Sequence, residues 1–215
     1  MSKASTFQER HFDDLEQQHD ASWTGMWIFL ATEVMFFGGM FLGYTYYRSL
    51  YAQAFVDASN HLDILLGTIN TAVLICSSFT MALAVHSAET GNRRGSVKFL
   101  LLTIALGTVF LVIKFAEYAH KFEEHLIPGS SFAFEGALAR PAEIFFSFYF
   151  AMTGMHALHM IVGIGLLTAL VFQARRGRFS PVYYTPVEIT GLYWHFVDIV
   201  WIFLFPLLYL VGRHV

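Results

Sequence analysis

Five long apolar segments, separated by shorter polar stretches, restrict the fold of this chain more than any other feature of its sequence. They cover roughly residues 23–46, 62–86, 97–119, 142–174 and 187–212. Each reaches or exceeds the ~20 residues with which an α-helix crosses the ~30 Å hydrocarbon layer of a membrane. A membrane β-barrel is disfavoured because it needs short segments of alternating polarity. Since lipid forces backbone polar groups to be satisfied within a segment, the sequence predicts an all-α membrane protein with five transmembrane helices.

The composition also indicates a chain that is largely embedded in a membrane. Hydrophobic residues make up 56% of the sequence and charged residues 13%, whereas soluble domains carry roughly 25% charged residues. The net charge of −3, without a clustered basic face, disfavours a nucleic-acid-binding protein. The single cysteine, Cys76, excludes an internal disulfide and a cysteine-pair metal site, and we expect it to be a small buried hydrophobic residue.

The polar regions predict the domain organisation and the orientation in the membrane. Residues 1–22 lack the apolar centre of a signal peptide and are expected to form a polar tail, which leaves residues 23–215 as the membrane domain. Eight lysines and arginines lie in this tail and in the loops at the same end of the bundle, whereas four lie at the other end. Because basic residues concentrate in cytoplasmic loops, we expect a cytoplasmic N-terminus and a C-terminus on the outside.

Several ionisable side chains lie inside the apolar segments, where a charge costs several kcal/mol and tends to face the bundle interior. Glu33 is about ten residues into the first segment, hence ~15 Å along a helix. We expect its carboxyl to handle protons or to contact lipid; the alternative is a neutral carboxyl hydrogen-bonded to a neighbouring helix. Lys114 and Glu117 are three residues apart and are expected to form a pair within one helix.

The last two segments carry three histidines and an aspartate. His156 and His159 share one helix face, as do His195 and Asp198. Buried ionisable groups need partners, so we expect Asp198 to pair with one of these histidines. Three histidines are too few for a di-haem cytochrome, and the segments do not supply the two Glu-x-x-His helices of a di-metal bundle. The sequence therefore predicts no catalytic, cofactor or metal site in this chain, but a buried polar network of Lys114, Glu117, His156, His159, His195 and Asp198.

Four motifs in this chain, taken in order, resemble subunit III of the haem–copper oxidases. ATEVMFFGGMF (31–41) resembles the helix with the membrane-buried glutamate of that family, and KFAEYAHKF (114–122) resembles the Glu-Tyr end of another helix. TGMHALHMIVG (153–163) is similar to the penultimate helix, and YWHFVDIVWIFLF (193–205) is similar to the signature of the last helix. Many members have seven helices; this chain is similar to the shorter bacterial form with five.

The resemblance implies a role as subunit III of a bacterial cytochrome c oxidase, which reduces oxygen in aerobic respiration and translocates protons across the plasma membrane. In that family subunits I and II hold the haem and copper. Subunit III is an accessory subunit without a redox centre that packs beside subunit I, binds phospholipid and supports proton uptake. By this resemblance Glu33 lies towards subunit I and lipid, whereas His195 and Asp198 tie the bundle together. The expected partners are subunits I and II, further respiratory complexes and membrane lipids.

Besides a b-type haem protein, which visible absorption by the isolated chain would support, two other functions stay open from the sequence. The first is a related component of a quinol oxidase or of a nitric oxide reductase. The second comes from another class of protein, a stand-alone proton-coupled transporter that uses Glu33, His156 and His195 as a relay. Against the transporter, the five segments show no inverted repeat.

Overall fold

The computed structural model describes residues 12–129, 132–134 and 138–211. These residues form six α-helices: α1 (Leu15–Leu50), α2 (Ala52–Ser59), α3 (Ile64–Glu89), α4 (Arg93–Glu123), α5 (Ala139–Arg175) and α6 (Thr185–Tyr209). All except the short α2 are long and apolar enough to cross a membrane, which makes five candidate spans. The all-α membrane fold predicted from the sequence is therefore confirmed.

The helices extend past the apolar segments where a polar side chain caps them. The first helix begins at Leu15 rather than at residue 23, because the Asp14 carboxylate accepts a hydrogen bond of 2.7 Å from the Gln17 backbone N–H. Similarly, α4 begins at Arg93 rather than at residue 97, since the Asn92 side chain accepts from the Gly95 N–H at 3.0 Å. Part of the predicted polar tail is thus helical, and residues 1–11 and 212–215 lie outside the described residues.

The last helix occupies the centre of the bundle. It packs against α1, α3 and α5, while α4 packs against α3 and α5. Half of the most apolar stretch of α6 is buried within the protein, compared with 11% of that of α1. Helix α1 is therefore a peripheral helix, and most of its surface remains available to lipid or to another protein. The sequence analysis missed α2, which packs on α5 with its buried residue Phe55.

The helices alternate in direction, so the bundle has two distinct ends. The first, which we call the basic end, holds the starts of α1, α4 and α6, and the turns after α3 and α5. It carries six described basic residues, Arg93, Arg94, Lys98, Arg175, Arg176 and Arg178. The opposite end carries Arg48, Lys121 and Arg140, of which Lys121 is buried and donates to the His61 carbonyl at 2.7 Å. The structure therefore preserves the charge asymmetry of the sequence.

The outer surface of the bundle is apolar, as expected for contact with hydrocarbon. Met35 and Leu42 on α1, for example, are 77% and 73% exposed. The expectation of a buried Cys76 is wrong, because this residue is exposed on α3. An apolar residue of a membrane helix can face lipid as readily as the core, so its hydrophobicity does not indicate which side it takes.

The indole of Trp194 sits where α6 meets α4 and α5, at two glycines. Trp194 is fully buried, and its Nε1 donates to the Ser77 hydroxyl at 3.1 Å. A Cβ added at Gly107 would lie 2.8 Å from the indole, and one at Gly163 would lie 2.9 Å from it. These distances are shorter than any real contact of a Cβ, so both positions need glycine. In contrast, a Cβ at Gly165 would meet nothing within 4 Å.

This difference between two glycines of one helix gives a prediction about stability. We expect Gly163→Ala to lower the free energy of unfolding by roughly 1–3 kcal/mol, because its new methyl group overlaps a fully buried indole. The matched control, Gly165→Ala, should leave stability unchanged or slightly higher. Thermal unfolding in mild detergent measures both. Equal melting temperatures for the two variants would contradict this account of how Trp194 packs.

Candidate functional site

The ionisable side chains in the membrane helices occupy three separate clusters and one apolar pocket. We call the clusters the Lys114 cluster, the Glu33–His159 pair and the Asp198 cluster. The buried polar residues predicted from the sequence are divided among these groups, because the side chains on α4, α5 and α6 face different neighbours. The geometry of each cluster indicates a different role.

The Lys114 cluster joins three helices around a buried ion pair. Lys114 Nζ lies 2.9 Å from Glu117 Oε2 on the same helix, as expected from their spacing. It also donates to the hydroxyl oxygens of Tyr149 on α5 at 3.2 Å and of Tyr209 on α6 at 2.8 Å. Both tyrosines in turn donate to Glu117 Oε1, at 3.0 and 2.7 Å. The cluster is therefore neutral overall, and all three ammonium protons have an acceptor.

Chemically, this arrangement is suited to holding the helices together. The side chains of Lys114 and Glu117 are 2% and 3% exposed, so water cannot replace the partners of either charge. The rings of Tyr149 and Trp201 lie 5.0 and 5.2 Å from Nζ, which adds cation–π contacts. The sequence analysis missed both tyrosines as partners. The one available signal was that a buried tyrosine hydroxyl usually finds a hydrogen-bond partner.

The Glu33–His159 pair connects α1 with α5. His159 Nε2 lies 3.1 Å from Glu33 Oε2, and His159 Nδ1 lies 2.8 Å from the Met155 carbonyl oxygen. Since a carbonyl only accepts, Nδ1 carries a proton and donates it to Met155. A second proton then lies between Nε2 and the carboxyl group of Glu33, on one atom or the other. The sequence analysis selected both residues but did not pair them.

This pair faces a groove on the outside of the bundle, unlike the enclosed Lys114 cluster. The groove lies between α1, α5 and the start of α6, has a volume of about 510 Å³ and is lined by apolar side chains such as Phe29 and Leu166. The side chains of Glu33 and His159 are 18% and 13% exposed. A molecule in the groove can therefore reach a carboxyl and an imidazole that share a proton.

The Asp198 cluster lies between α3 and α6, and it contradicts the predicted aspartate–histidine pair. His195 Nδ1 lies 2.8 Å from the Ser78 hydroxyl on α3. Asp198 is 4% exposed, and neither of its carboxyl oxygens has a hydrogen-bond partner among the described residues. The prediction is wrong because both side chains face α3, where the Ser78 hydroxyl binds the His195 imidazole and also lies beside the Asp198 carboxyl.

His156 adjoins the Lys114 cluster through Trp201 but has no hydrogen bond to any of the three clusters. Its ring lies between the side chains of Phe110 and Trp201, with centroids 5.4 and 5.2 Å away. Neither ring nitrogen has a hydrogen-bond partner among the described residues. The three mid-membrane histidines, His156, His159 and His195, thus have three different surroundings. Within the described part of the chain, no three histidine, cysteine or acidic side chains are grouped so that they could hold a metal ion.

Comparisons of the sequence with known proteins show the family to which this chain is similar. The sequence profile of the family described as cytochrome c oxidase subunit III matches residues 1–213. Cytochrome c oxidase subunit 3 of Thermostichus vulcanus is 32% identical over 202 residues, which cover 94% of this chain and 92% of the relative. Quinol oxidase subunit 3 of Bacillus subtilis (strain 168) is 32% identical over 188 residues, with 87% and 86% covered. Cytochrome c oxidase subunit 3 of Corynebacterium diphtheriae is 32% identical over 189 residues, with the same coverage.

The buried Lys114–Glu117 ion pair gives a prediction that tests whether this pair stabilises the bundle. We expect Lys114→Met to lower stability by roughly 3–5 kcal/mol, because it leaves the Glu117 carboxylate buried without a counter-ion. Thermal unfolding in detergent measures the loss. Lys98→Met on the exposed side of the same helix is the matched control and should have little effect.

A second variant tests the cause of this loss. Glu117→Gln removes the stranded charge and keeps an acceptor for the two tyrosines, so adding it to Lys114→Met should restore part of the stability. If Lys114→Met unfolds at the same temperature as the unchanged protein, the Lys114 cluster does not hold the bundle together.

Proposed function

This chain belongs to the cytochrome c oxidase subunit III family, and on that premise we propose that it is the subunit III of a bacterial cytochrome c oxidase in the plasma membrane. The complex reduces oxygen to water and translocates protons. The match of the family profile over residues 1–213 is the observation that carries this proposal. The five candidate spans agree with it, since they describe a multi-pass membrane protein.

Within such a complex, this chain acts as an accessory subunit and not as the catalyst. The partner subunits I and II hold the haem and copper, and this chain holds none. The surroundings of the histidines support this division, because His159 is bonded to Glu33, His195 contacts Ser78 and His156 packs between two aromatic rings. No two of these imidazoles face one another as a pair of axial haem ligands would.

The peripheral helix α1 is the surface that we assign to subunit I. A Cβ added at Gly38 or Gly39 would meet nothing within 4 Å, so the backbone is open to close approach by another helix. Large side chains beside these glycines, such as Met35 and Leu42, are 77% and 73% exposed.

The N-terminus and the basic end lie in the cytoplasm, because this end carries most of the described lysines and arginines. Labelling of Val182→Cys from outside intact cells would contradict this orientation.

The Glu33–His159 pair is the lipid-linked and proton-linked site of this proposal. Its groove has apolar walls for lipid chains, and the pair at its base can give up or take a proton. Phospholipid is therefore the expected ligand on this face, where it lies between α1 and subunit I.

Two other functions receive different support. Because one relative is the quinol oxidase subunit 3 of Bacillus subtilis, a quinol oxidase is the second candidate complex. It differs from the first candidate in its electron donor. The stand-alone transporter is less well supported. A relay through Glu33, His156 and His195 would need contact between them, whereas the three side chains lie in separate surroundings.

The proposed role of Glu33 can be tested in the purified oxidase. We expect Glu33→Ala to leave the haem content and the initial rate of oxygen reduction intact, and to reduce the number of turnovers before the activity is lost. The reason is that the variant removes the carboxyl partner of His159 and alters a groove on a subunit to which we assign no redox centre. Glu143→Ala is the control, because Glu143 lies at the start of α5 and accepts from the Gly129 backbone N–H at 3.0 Å. Loss of haem in Glu33→Ala would contradict an accessory role.

A further inference from the structure

A groove at the basic end of the bundle has four cationic side chains in its lining. We call it the basic groove; its volume is about 780 Å³, within the ~300–1,000 Å³ range of ligand pockets. Three of the cations, Arg93, Arg94 and Lys98, come from α4, and Arg175 comes from the end of α5. The two helix ends meet here, since Arg93 Nη1 would lie 3.4 Å from a Cβ added at Gly177. Four positive charges therefore surround one opening.

These four charges have no counter-ion within the described part of the chain. The lysines that form ion pairs there are Lys114 and Lys121, and no described ion pair includes an arginine. The lining of the basic groove contains no carboxylate. Two of its arginines, Arg93 and Arg94, also lie in the first turn of α4, where the helix dipole is positive as well. An anion in this groove is favoured because it relieves the repulsion among these charges.

The rest of the lining is apolar and extends deep into the membrane. It consists of Val97, Leu101, Leu102 and Ala105, and the two leucines are 41% and 43% exposed. Because α4 begins at residue 93, Ala105 lies ~18 Å along the helix axis. One leaflet of a ~30 Å hydrocarbon layer is about half as thick as the whole layer. The basic groove thus runs from the level of the head groups to the middle of the membrane, with charge at its outer end alone.

We propose that the basic groove binds an anionic phospholipid, such as phosphatidylglycerol, with its phosphate among the arginines and an acyl chain along Leu101 and Leu102. Guanidinium groups suit this ligand because they donate paired hydrogen bonds to phosphate oxygens. A soluble anion would leave the apolar wall uncovered, and the head group of phosphatidylcholine would add a fifth cation to the four already present.

The basic groove differs in charge from the groove at the Glu33–His159 pair. The lining of that groove includes no lysine or arginine, whereas the basic groove has four such residues. The two grooves should therefore select lipids of different charge. This inference goes beyond the proposed function and does not depend on it, because it concerns the surface of this chain alone.

Labelling with photoreactive lipids tests the inference in the protein as it is purified from native membranes. The protein is placed in nanodiscs of phosphatidylcholine that contain a trace of one probe, either phosphatidylglycerol or phosphatidylcholine with a photoreactive acyl chain. Mass spectrometry of the digested chain locates the label. We expect the phosphatidylglycerol probe to label residues 97–105 roughly tenfold more than the phosphatidylcholine probe, because each cation near the membrane surface strengthens binding of anionic lipid by about fivefold. Equal labelling by the two probes would contradict the inference. So would the absence of label from both, which would indicate that another protein covers the groove.

Matched arginine variants distinguish a binding site from a general attraction of the basic end for anionic lipid. Arg94→Gln with Arg175→Gln removes two charges from the groove, whereas Arg176→Gln with Arg178→Gln removes two charges from the same end that do not line it. The first pair should lower the preference for phosphatidylglycerol by about fivefold or more, and the second by less than about twofold. All four residues are exposed, so both variants should unfold at the temperature of the unchanged protein in detergent without lipid. Equal losses of preference in the two variants would show general attraction and overturn the inference.

Discussion

The absence of water in the hydrocarbon layer is the constraint on which the rest of this structure depends. Backbone N–H and C=O groups must therefore hydrogen-bond within helices, and charged side chains must pair inside the bundle. The Lys114 cluster shows the complete response, because a buried ion pair and two tyrosine hydroxyls satisfy one another across α4, α5 and α6. Close packing supplies the remaining cohesion, most clearly where Trp194 meets two glycines.

The polar clusters differ in how completely the chain itself encloses and hydrogen-bonds their polar atoms. This difference indicates which clusters hold the helices together and which can contact other molecules. The Lys114 cluster is closed, which suits a fixed tie between helices. The Glu33–His159 pair is bonded but opens to an apolar groove, which suits contact with lipid and movement of a proton. Asp198 is enclosed between α3 and α6 and lies beside Ser78, which suits a buried contact between these two helices. A subunit that supports a larger complex needs both fixed ties and open faces.

Local sequence predicted the helices and the family, but it did not predict contacts between helices. The five segments were visible because membrane spans need long apolar runs, and Lys114 and Glu117 were paired because their spacing places them on one helix face. The start of α1 was misplaced because its cap, Asp14, lies in polar sequence. Glu33 and His159 are 126 residues apart, and the expected aspartate–histidine pair does not form. These contacts depend on how each helix is rotated about its axis and how deep each side chain lies in the membrane. A local sequence pattern specifies neither.

The central claim is that this chain is a subunit of an oxidase and carries no redox centre itself. Purification of the tagged chain from native membranes in mild detergent tests it most directly, with partners identified by mass spectrometry and a reduced-minus-oxidised spectrum recorded. The account predicts that haem-bearing and copper-bearing subunits co-purify, and that the haem spectrum leaves with them when they are stripped from the chain. A chain that purifies alone and colourless, or that keeps a haem spectrum by itself, would contradict the account.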